Sequence, residues 1–588
     1  MNDILSYPRP EYPRPQMVRD DWMNLNGRWG FEIDQSLSGE ARGLPYDRVL
    51  TRTVIVPFCP ESVLSGIGEK DFMASVWYRR EVELPPAWLL EHKRIILHIG
   101  ACDYATTVWV NGQEAGRHLG GYVSFSFDIT KLLKPDKNTI VIHAVDDLRG
   151  RLQPRGKQSD RYESYSCLYT RTTGIWQTVW LEAVPDTYLR ALKYFTDIDQ
   201  STVTIQARVE GETNGCALQA IVMAAGIEVG KANVAASNLV TFTINLSERH
   251  LWEPGAPFLY DTQFILMKNG HAIDTVSSYF GLRSITIDGK RVLINNKPVF
   301  QRLVLDQGFY PDGIYTASSD DDLRADIELS MAMGFNGARL HQKVFEPRFH
   351  YWADRLGYLT WGEQASWGLD TANPYALERF LTEWLEVLSR DFNHPSIVGW
   401  CPFNETDTRQ NNELLRMIYR VTKAVDPTRP VIDTSGYVHV ETDIYDCHNY
   451  EQDPNKFTQY FASSRIGGPV YRNFPKEDAS YQGQPYFVSE YGGIWWNPGQ
   501  MGDKAWGYGD RPKTEEQFLE RYRRLTETLL SNPNMFAFCY TQLTDVEQEV
   551  NGLYTYTRKP KFDPAVIRAI NIQPAAIEVR PSSEQPVA

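Results

Sequence analysis

Short hydrophobic runs separated by turn signals recur through the first half of the chain. They either alternate apolar with polar residues or are continuously apolar, as in 76–84 and 94–99. Such runs are typical of strands, and Asn111-Gly112 is a strong hairpin signal. Because helical patterns are rare here, we predict a jelly-roll β-sandwich for residues 1–185. The shorter strands that follow predict an immunoglobulin-like sandwich for 186–283.

The pattern changes to an alternation of strands and helices after residue 284. Ser319 and Asp322 have the spacing of a helix capping box, and Asn373-Pro374 provides another helix start. Eight candidate strands separated mostly by helices predict a (β/α)₈ barrel for residues 284–588. The strands begin near Val299, Phe335, Tyr358, Ile397, Val431, Ile444, Tyr486 and Met535.

Composition places the chain among ordinary globular proteins and excludes some partners. Of 588 residues, 42% are hydrophobic and 23% are charged, and the formal net charge is -14. Nucleic acids and anionic membrane surfaces both require clustered positive charge, so we expect neither as a partner. The 16 Trp and 32 Tyr suit a carbohydrate site. All-β domains are also rich in aromatic residues, so this excess does not decide between the two explanations.

Cysteine usage and the chain start bear on the cellular compartment. The seven Cys are scattered, odd in number and without the paired spacing of a zinc site, so we expect neither a disulfide framework nor structural zinc. The first residues lack the basic and apolar segments of a signal peptide, and no stretch is long enough to cross a bilayer. We therefore expect a cytoplasmic location.

Two glutamates stand at the ends of apolar runs that indicate buried strands. Glu405 closes the run that begins at Ile397, and Glu490 closes the run that begins at Pro485. A carboxylate is expensive to bury, and catalytic groups in (β/α)₈ barrels sit at strand ends. Two carboxylates in one barrel mouth are what glycosidic bond cleavage requires. The alternative is that each glutamate pairs with an arginine and serves stability alone.

Longer motifs support the first interpretation. They occur in order through nearly the whole chain: Leu25-Asn-Gly-Arg-Trp29, Trp77-Tyr-Arg-Arg-Glu81, Gly174-Ile-Trp-Gln-Thr-Val-Trp180, Phe280-Gly-Leu-Arg283, Gly334-Phe-Asn-Gly-Ala-Arg339, Asn393-His-Pro-Ser-Ile-Val-Gly-Trp400, Asn404-Glu405 and Ser489-Glu490-Tyr491-Gly492. In these motifs the chain resembles glycoside hydrolase family 2, which includes β-galactosidases, β-glucuronidases and β-mannosidases. The first three motifs resemble its sugar-binding-type domain, and the last four resemble its barrel signatures.

The resemblance implies a retaining, exo-acting O-glycosyl hydrolase. Glu490 would be the nucleophile that forms a glycosyl-enzyme, and Glu405 would be the acid/base. Their carboxyl groups should lie about 5–5.5 Å apart. Asn404 would donate a hydrogen bond to the sugar 2-hydroxyl. No metal or organic cofactor is expected for this chemistry.

The resemblance also implies sugar-binding or supporting roles for other residues near strand ends. These are Asp306, Arg339, His341, His448, Tyr450, Tyr540 and Gln542, with Trp495 or Trp361 as a stacking surface. A structural ion pair for Arg339 and a satisfied strand-end histidine for His341 stay open as alternatives. Glu363 lies on the third strand, outside the family's catalytic pair. We assign it to ring hydroxyls or structure, and Asp433 and Asp545 to structure.

The identity of the sugar depends on the last barrel loop. β-Glucuronidases of the family carry an Asn-x-Lys motif there, whose Lys pairs with the uronate carboxylate. This chain has Glu549-Val550-Asn551 in that place, and an acidic residue would repel a uronate. We therefore expect a neutral sugar, with a β-galactoside first and a β-mannoside, β-glucoside or α-L-arabinopyranoside behind it. A β-glucuronide or β-galacturonide is the remaining alternative within the family.

The partner we expect is an oligosaccharide or another glycoside, and a homo-oligomer is left open. A different class of function is a non-catalytic carbohydrate-binding protein that retains the barrel without its activity. The catalytic pair separates the two classes, because a binding protein has no need of it. Both Glu405 and Glu490 are present, which favours the enzyme.

Overall fold

A computed structural model describes residues 7–46, 48–90, 93–500, 502 and 504–578. Three regions follow one another along the chain, each with its own hydrophobic core. They are an N-terminal jelly-roll sandwich, an immunoglobulin-like sandwich and a C-terminal (β/α)₈ barrel, the fold class that the sequence predicts. None of the helices within these ranges is long and apolar enough to cross a membrane.

The first region is a β-sandwich with one short helix, α1, at Pro86–Leu90. Its strands are β1 Trp22–Asn24, β2 Gly27–Ile33, β3 Arg52–Val56, β4 Ser75–Glu83, β5 Arg94–Ile99, β6 Cys102–Asp103, β7 Ala105–Val110, β8 Gln113–Leu119, β9 Phe125–Asp128, β10 Lys137–Val145, β11 Gly174–Ile175 and β12 Val179–Val184. A six-stranded sheet in the order β3-β2-β4-β10-β7-β8 packs against a four-stranded sheet in the order β1-β12-β5-β9. Asn111 and Gly112 both have positive φ and join β7 to β8, as the hairpin signal predicts.

The second region has seven strands, β13 Tyr188–Asp197, β14 Thr202–Glu210, β15 Cys216–Ala224, β16 Ile227–Ala235, β17 Leu239–Asn245, β18 Tyr260–Lys268 and β19 His271–Phe280. They form sheets in the orders β13-β14-β17 and β16-β15-β18-β19, and their alternating buried positions meet in one core. Three short strands follow before the barrel, β20 Ile285–Asp288, β21 Arg291–Ile294 and β22 Lys297–Pro298.

The barrel strands are β23 Gln301–Asp306, β24 Gly337–Leu340, β25 Leu359–Glu363, β26 Ile397–Cys401, β27 Phe403–Asn404, β28 Thr434–Ser435, β29 Tyr445–Asn449, β30 Tyr486–Gly492 and β31 Ala537–Thr541. The barrel helices are α2 Asp320–Ala332, α3 Pro347–Leu356, α4 Tyr375–Asp391, α5 Asn412–Val425, α6 Pro454–Arg465, α7 Glu515–Leu530 and α8 Pro564–Asn571. The predicted capping box is present at α2, where the Ser319 hydroxyl accepts from the Asp322 N–H.

Seven parallel strands form one curved sheet in the order β26-β25-β24-β23-β31-β30-β29. The gap between its two edges is spanned by the pairing of β27 with β28 and by a bridge between Trp400 and Val431. The strand predicted near Val431 is therefore reduced to these two contacts. Parallel strands bring their carboxyl ends to one face of the barrel, which is where Glu405 and Glu490 lie.

Buried polar contacts dock both sandwiches onto the barrel. Arg283, the last residue of the Phe280-Gly-Leu-Arg283 motif, donates to the carbonyls of Pro395 and Ile397 at 2.7 and 2.8 Å. The jelly-roll region contributes Trp176, which joins a hydrophobic cluster with barrel residues. Its segment between β10 and β11 also hydrogen-bonds to the barrel, where the Gly156 N–H donates to the Ala365 carbonyl at 3.1 Å. The barrel mouth is thus lined by more than one region of the chain.

Candidate active site

The two strand-end glutamates meet at the carboxyl-end face of the barrel. Glu490 lies within β30, and Glu405 follows β27 directly. One carboxylate oxygen of each lies within 4.8 Å of the other and of a His448 ring nitrogen. This separation is in keeping with the close carboxyl pair of a retaining glycosidase. It is too short for the water that an inverting enzyme holds between its carboxyls.

Backbone geometry helps to aim Glu405 into the pocket. Its φ is 49°, a left-handed conformation that costs a residue other than glycine roughly 1–2 kcal/mol. The Glu405 N–H donates to the Ser435 carbonyl at 2.9 Å, which holds this conformation. The Glu405 side chain is 18% exposed, whereas that of Glu490 is 6% exposed. Glu405 therefore lies on the more open side of the pair, as its predicted role as acid/base requires.

Glu490 is surrounded by donors and positive charge. The Arg339 Nη1 atom lies 3.1 Å from Glu490 Oε1, and the Tyr450 hydroxyl donates to Oε2. Burial raises the pKa of Glu490, but the charges of His448, His341 and Arg339 outweigh it and hold the pKa well below its ordinary value. The carboxylate is therefore ionised at neutral pH, as a nucleophile must be.

His448 bridges the two glutamates. Its Nδ1 lies 2.7 Å from Glu405 Oε1 and its Nε2 lies 3.4 Å from Glu490 Oε1, while Ser435 Oγ is 3.1 Å from Nε2. Burial lowers the pKa of His448, but the two carboxylates outweigh burial and raise it. A positively charged imidazole between two carboxylates reduces their mutual repulsion and allows them to lie close together.

A buried ion-pair network supports the nucleophile from below. Arg339 Nη2 lies 2.8 Å from Glu363 and donates to Asn404 Oδ1 at 3.1 Å, and His341 Nδ1 lies 3.1 Å from Glu363. Glu363 and Arg339 are fully buried, so Glu363 has the structural surroundings expected of it. The Asn404 Nδ2 group has no hydrogen-bond partner within the described part of the chain. It is therefore free to donate to a sugar hydroxyl.

Two of the three aromatic candidates lie away from the predicted catalytic pair. Tyr540 packs against Tyr522 of α7, with ring centroids 4.9 Å apart, because its position in β31 turns the side chain towards the helices. Trp361 donates to Gln301 at the start of β23, at 2.8 Å, so it fills the barrel interior below the pocket. Trp495 is partly exposed in the loop after β30. Trp361 therefore does not lie where it could form the predicted stacking surface, and Tyr540 does not lie where it could make the predicted sugar contact.

Asp306 occupies the end of β23, as predicted, but its contacts are local. Its carboxylate accepts a hydrogen bond from the Gly308 N–H at 2.9 Å. Burial, followed by the charge of Asp326, raises the pKa of Asp306 to about 7. In the residues that the structure describes, Asp306 contacts neither Glu405 nor Glu490, so its sugar contact stays a prediction.

Gln542, Asn551 and Glu549 form one hydrogen-bonded row. Gln542 Nε2 donates to Asn551 Oδ1 at 2.8 Å, and Asn551 Nδ2 donates to Glu549 Oε1 at 3.0 Å. The Tyr169 hydroxyl, from the jelly-roll region, contacts Glu549 Oε2. Burial raises the pKa of Glu549. The sequence predicts that Glu549 repels a uronate, but in the structure both of its carboxyl oxygens are bound, one by Tyr169 and the other by Asn551.

Lys157 and two aromatic residues at the pocket are absent from the sequence-based candidates. Lys157 belongs to the segment between β10 and β11, and its Nζ lies 4.1 Å from the Trp367 ring. Trp367 in turn donates to the Asn404 carbonyl at 3.1 Å. Tyr508 stacks on Tyr450 with centroids 3.5 Å apart. Each sits in a loop, outside the strand-end pattern that identifies the other candidates, so only the folded chain reveals them.

One cluster at the site has side chains of the types that bind metals, namely Glu405, His448 and Glu490. Two of the three are the predicted catalytic groups, and His448 hydrogen-bonds to the first and lies close to the second. The cluster therefore consists of the predicted catalytic pair and its bridging histidine. The expectation of a metal-independent reaction stays a prediction.

Comparison with protein-family models gives three matches in chain order. The sugar binding domain of glycosyl hydrolases family 2 matches residues 66–185, a second family 2 domain matches 187–283, and the family 2 TIM barrel domain matches 285–570. Together these matches cover most of the chain.

Several known proteins are similar to this one. A β-glucuronidase of Paenibacillus borealis is 23% identical, with the match covering 95% of this chain and 98% of that protein. A protein of Formosa agariphila is 26% identical over 71% of this chain, and the match spans 50% of its length. The solved structure of a β-glucuronidase from Ruminococcus gnavus, in complex with D-glucuronic acid, covers 96% of this chain and all of its own at a TM-score of 0.78 and 20% identity.

Proposed function

Because the chain belongs to glycosyl hydrolase family 2 and is a retaining O-glycoside hydrolase, we propose that it removes terminal β-glucuronic acid residues from glycosides, acting from the non-reducing end. The observation that carries the catalytic part of the proposal is the close pair of Glu405 and Glu490, whose oxygens lie within 4.8 Å. The choice of a uronide is supported by relatives that are β-glucuronidases over nearly the whole chain.

The reaction follows from the two carboxyl environments. Glu490, held ionised by Arg339 and His448, attacks the anomeric carbon and forms a glycosyl-enzyme ester. Glu405 gives its proton to the glycosidic oxygen as that bond breaks, and then takes a proton from the water that cleaves the ester. The free Asn404 Nδ2 donor lies at the same strand end, where it could bind the sugar 2-hydroxyl.

The sequence predicts a β-galactoside as the substrate, but the relatives described above do not support that choice. That expectation rested on the repulsion of a uronate by Glu549. Tyr169 and Asn551 bind both oxygens of this carboxyl, and burial favours its neutral form, so the repulsion is weaker than the sequence suggests. Arg558, downstream of Glu549, does not supply the missing cation, because it pairs with Asp326.

A panel of nitrophenyl glycosides tests the proposal. We expect kcat/KM for the β-glucuronide to exceed that for the β-galactoside and β-glucoside by at least about tenfold, which is about 1.4 kcal/mol of transition-state binding. Glu490→Gln should be nearly inert on every substrate. Glu405→Gln should still cleave activated aryl glycosides, with azide restoring turnover as a β-glycosyl azide. A wild-type preference for neutral glycosides would overturn the choice of sugar, and substantial activity of Glu490→Gln would overturn the mechanism.

A further inference from the structure

Lys157 reaches the barrel mouth from the jelly-roll region. The backbone just before it lies on the barrel, where the Arg155 N–H donates to the Trp367 carbonyl at 2.9 Å. Gly156 has a φ of +58°, and a Cβ at this position would lie 2.1 Å from the Gln342 carbonyl oxygen. Only glycine permits so close an approach. The segment is therefore fixed against the barrel at the residue that precedes Lys157.

The Lys157 side chain is mostly buried, and among the described residues its ammonium has no hydrogen-bond acceptor. The residue is only 6% exposed, and its Nζ lies 4.1 Å over the Trp367 ring. In the ranges that the structure describes, no carboxylate or carbonyl group accepts a hydrogen bond from it. An ammonium has three donors, and in a mostly buried side chain they meet little water to replace a missing acceptor. Such a group at the edge of a substrate pocket indicates that a ligand provides the missing acceptors.

The charges around the pocket indicate what kind of ligand this is. Arg339 pairs with Glu363 and Glu490, and His448 lies 2.7 Å from Glu405 and 3.4 Å from Glu490. The pKa values of both carboxyls are lowered despite burial, whereas those of Arg339, His448 and Lys157 are raised despite it. Glu549 and Glu405 lie in the same part of the site, and both attract the Lys157 ammonium. Of the three cations, Lys157 is the one that forms no ion pair within the described part of the chain, so it is available to a substrate.

We propose that Lys157 binds the carboxylate of the terminal uronic acid, so that the jelly-roll region supplies the specificity-determining cation of a site built on the barrel. The inference rests on the proposed function and names the residue that would enforce it. Glu549 attracts Lys157 but accepts no hydrogen bond from it within the described residues, and its two oxygens bind Tyr169 and Asn551. Trp367, which carries the ammonium over its ring, links this subsite to Asn404 beside the reacting carbon.

The test compares nitrophenyl β-D-glucuronide with nitrophenyl β-D-glucoside, which differ only in a carboxylate against a hydroxymethyl group. In Lys157→Met the ratio of kcat/KM for the two substrates should fall by about 30-fold or more, because a charge-assisted contact is lost with only one of them. Lys157→Arg keeps the charge and should retain part of the ratio. Lys137→Met is the matched control on the jelly-roll surface, where its ammonium only approaches Glu81 and Glu83, and should leave the ratio unchanged.

Two further measurements separate the possible failures. An equal loss on both substrates in Lys157→Met would mean that the lysine acts through the catalytic carboxylates, and would overturn the inference while leaving the proposed function standing. Inhibition by free D-glucuronate and free D-glucose gives a reading independent of turnover. If the wild type prefers the glucoside, the proposed function fails. The assignment of Lys157 to a carboxylate fails with it unless the glucuronate inhibition constant still rises at least about tenfold in Lys157→Met. The melting temperature of each variant, compared with that of the wild type, shows whether the variant is folded.

Discussion

Tyr450 provides a sharp test of how the nucleophile is held. Its hydroxyl donates to Glu490 Oε2 and lies 3.0 Å from Thr541 Oγ1, while its ring stacks on Tyr508. Tyr450→Phe keeps the stacked ring and removes only the hydroxyl. The substitution therefore takes one charge-assisted hydrogen bond from the Glu490 carboxylate and leaves the contacts with Arg339 in place.

The magnitude follows from the value of such a bond. A hydrogen bond to a charged group contributes about 1.5–3 kcal/mol. At about 1.4 kcal/mol for each pH unit, its loss should raise the pKa of Glu490 by about 1–2 pH units. In the wild type this pKa is held well below its ordinary value. Because the nucleophile works as an anion, a higher pKa moves the acid limb of the kcat/KM profile to higher pH by the same amount.

The assay is a kcat/KM profile on the best nitrophenyl glycoside that begins at the lowest pH at which both proteins stay folded, well below pH 4, and ends at about pH 8. The plateau should also fall by about tenfold or more, because the carboxylate loses one of its orienting contacts. Tyr491→Phe is the matched control, since the Tyr491 hydroxyl pairs with Thr526 at 2.8 Å, away from the pocket. It should cost about 1 kcal/mol of stability without moving the limb. An unmoved acid limb and an unchanged plateau in Tyr450→Phe would refute the reasoning.

Two other predictions concern stability and stereochemistry. Burial raises the pKa of Glu182, but Arg14, His98 and Arg19 outweigh it and lower the pKa from 4.5 to about 2, which corresponds to about 3 kcal/mol of stability. Because the folded-state pKa is the lower one, this stabilisation is present above pH 4.5 and is lost as the pH falls towards 2. Glu182→Gln should therefore melt well below the wild type at pH 7, and equal melting temperatures there would contradict the assignment. The first sugar released should be the β-anomer when followed by NMR, because two displacements restore the configuration, and an α-product would exclude the covalent intermediate.

Local patterns in the sequence account for the fold class and for the catalytic pair. Period-two runs predict strands, capping signals predict helix starts, and Glu405 and Glu490 stand out because a carboxylate ends an apolar run. These features depend on neighbours within a few residues, which the sequence displays directly. The barrel then brings the two strand ends together, since parallel strands share one carboxyl-end face.

The tertiary structure decides what the local pattern leaves open. Tyr540 ends a strand as predicted, yet packs against α7, because the direction of a side chain on a twisted strand depends on the closed sheet. Glu549 appears from the sequence as a bare negative charge, but Tyr169 from another region binds it. Lys157 has no sequence signal for the site at all, because a loop reaches its position only when two regions dock. Residues close in sequence thus determine the helices and strands and identify the predicted catalytic pair. Contacts between distant segments determine which charged groups line the pocket.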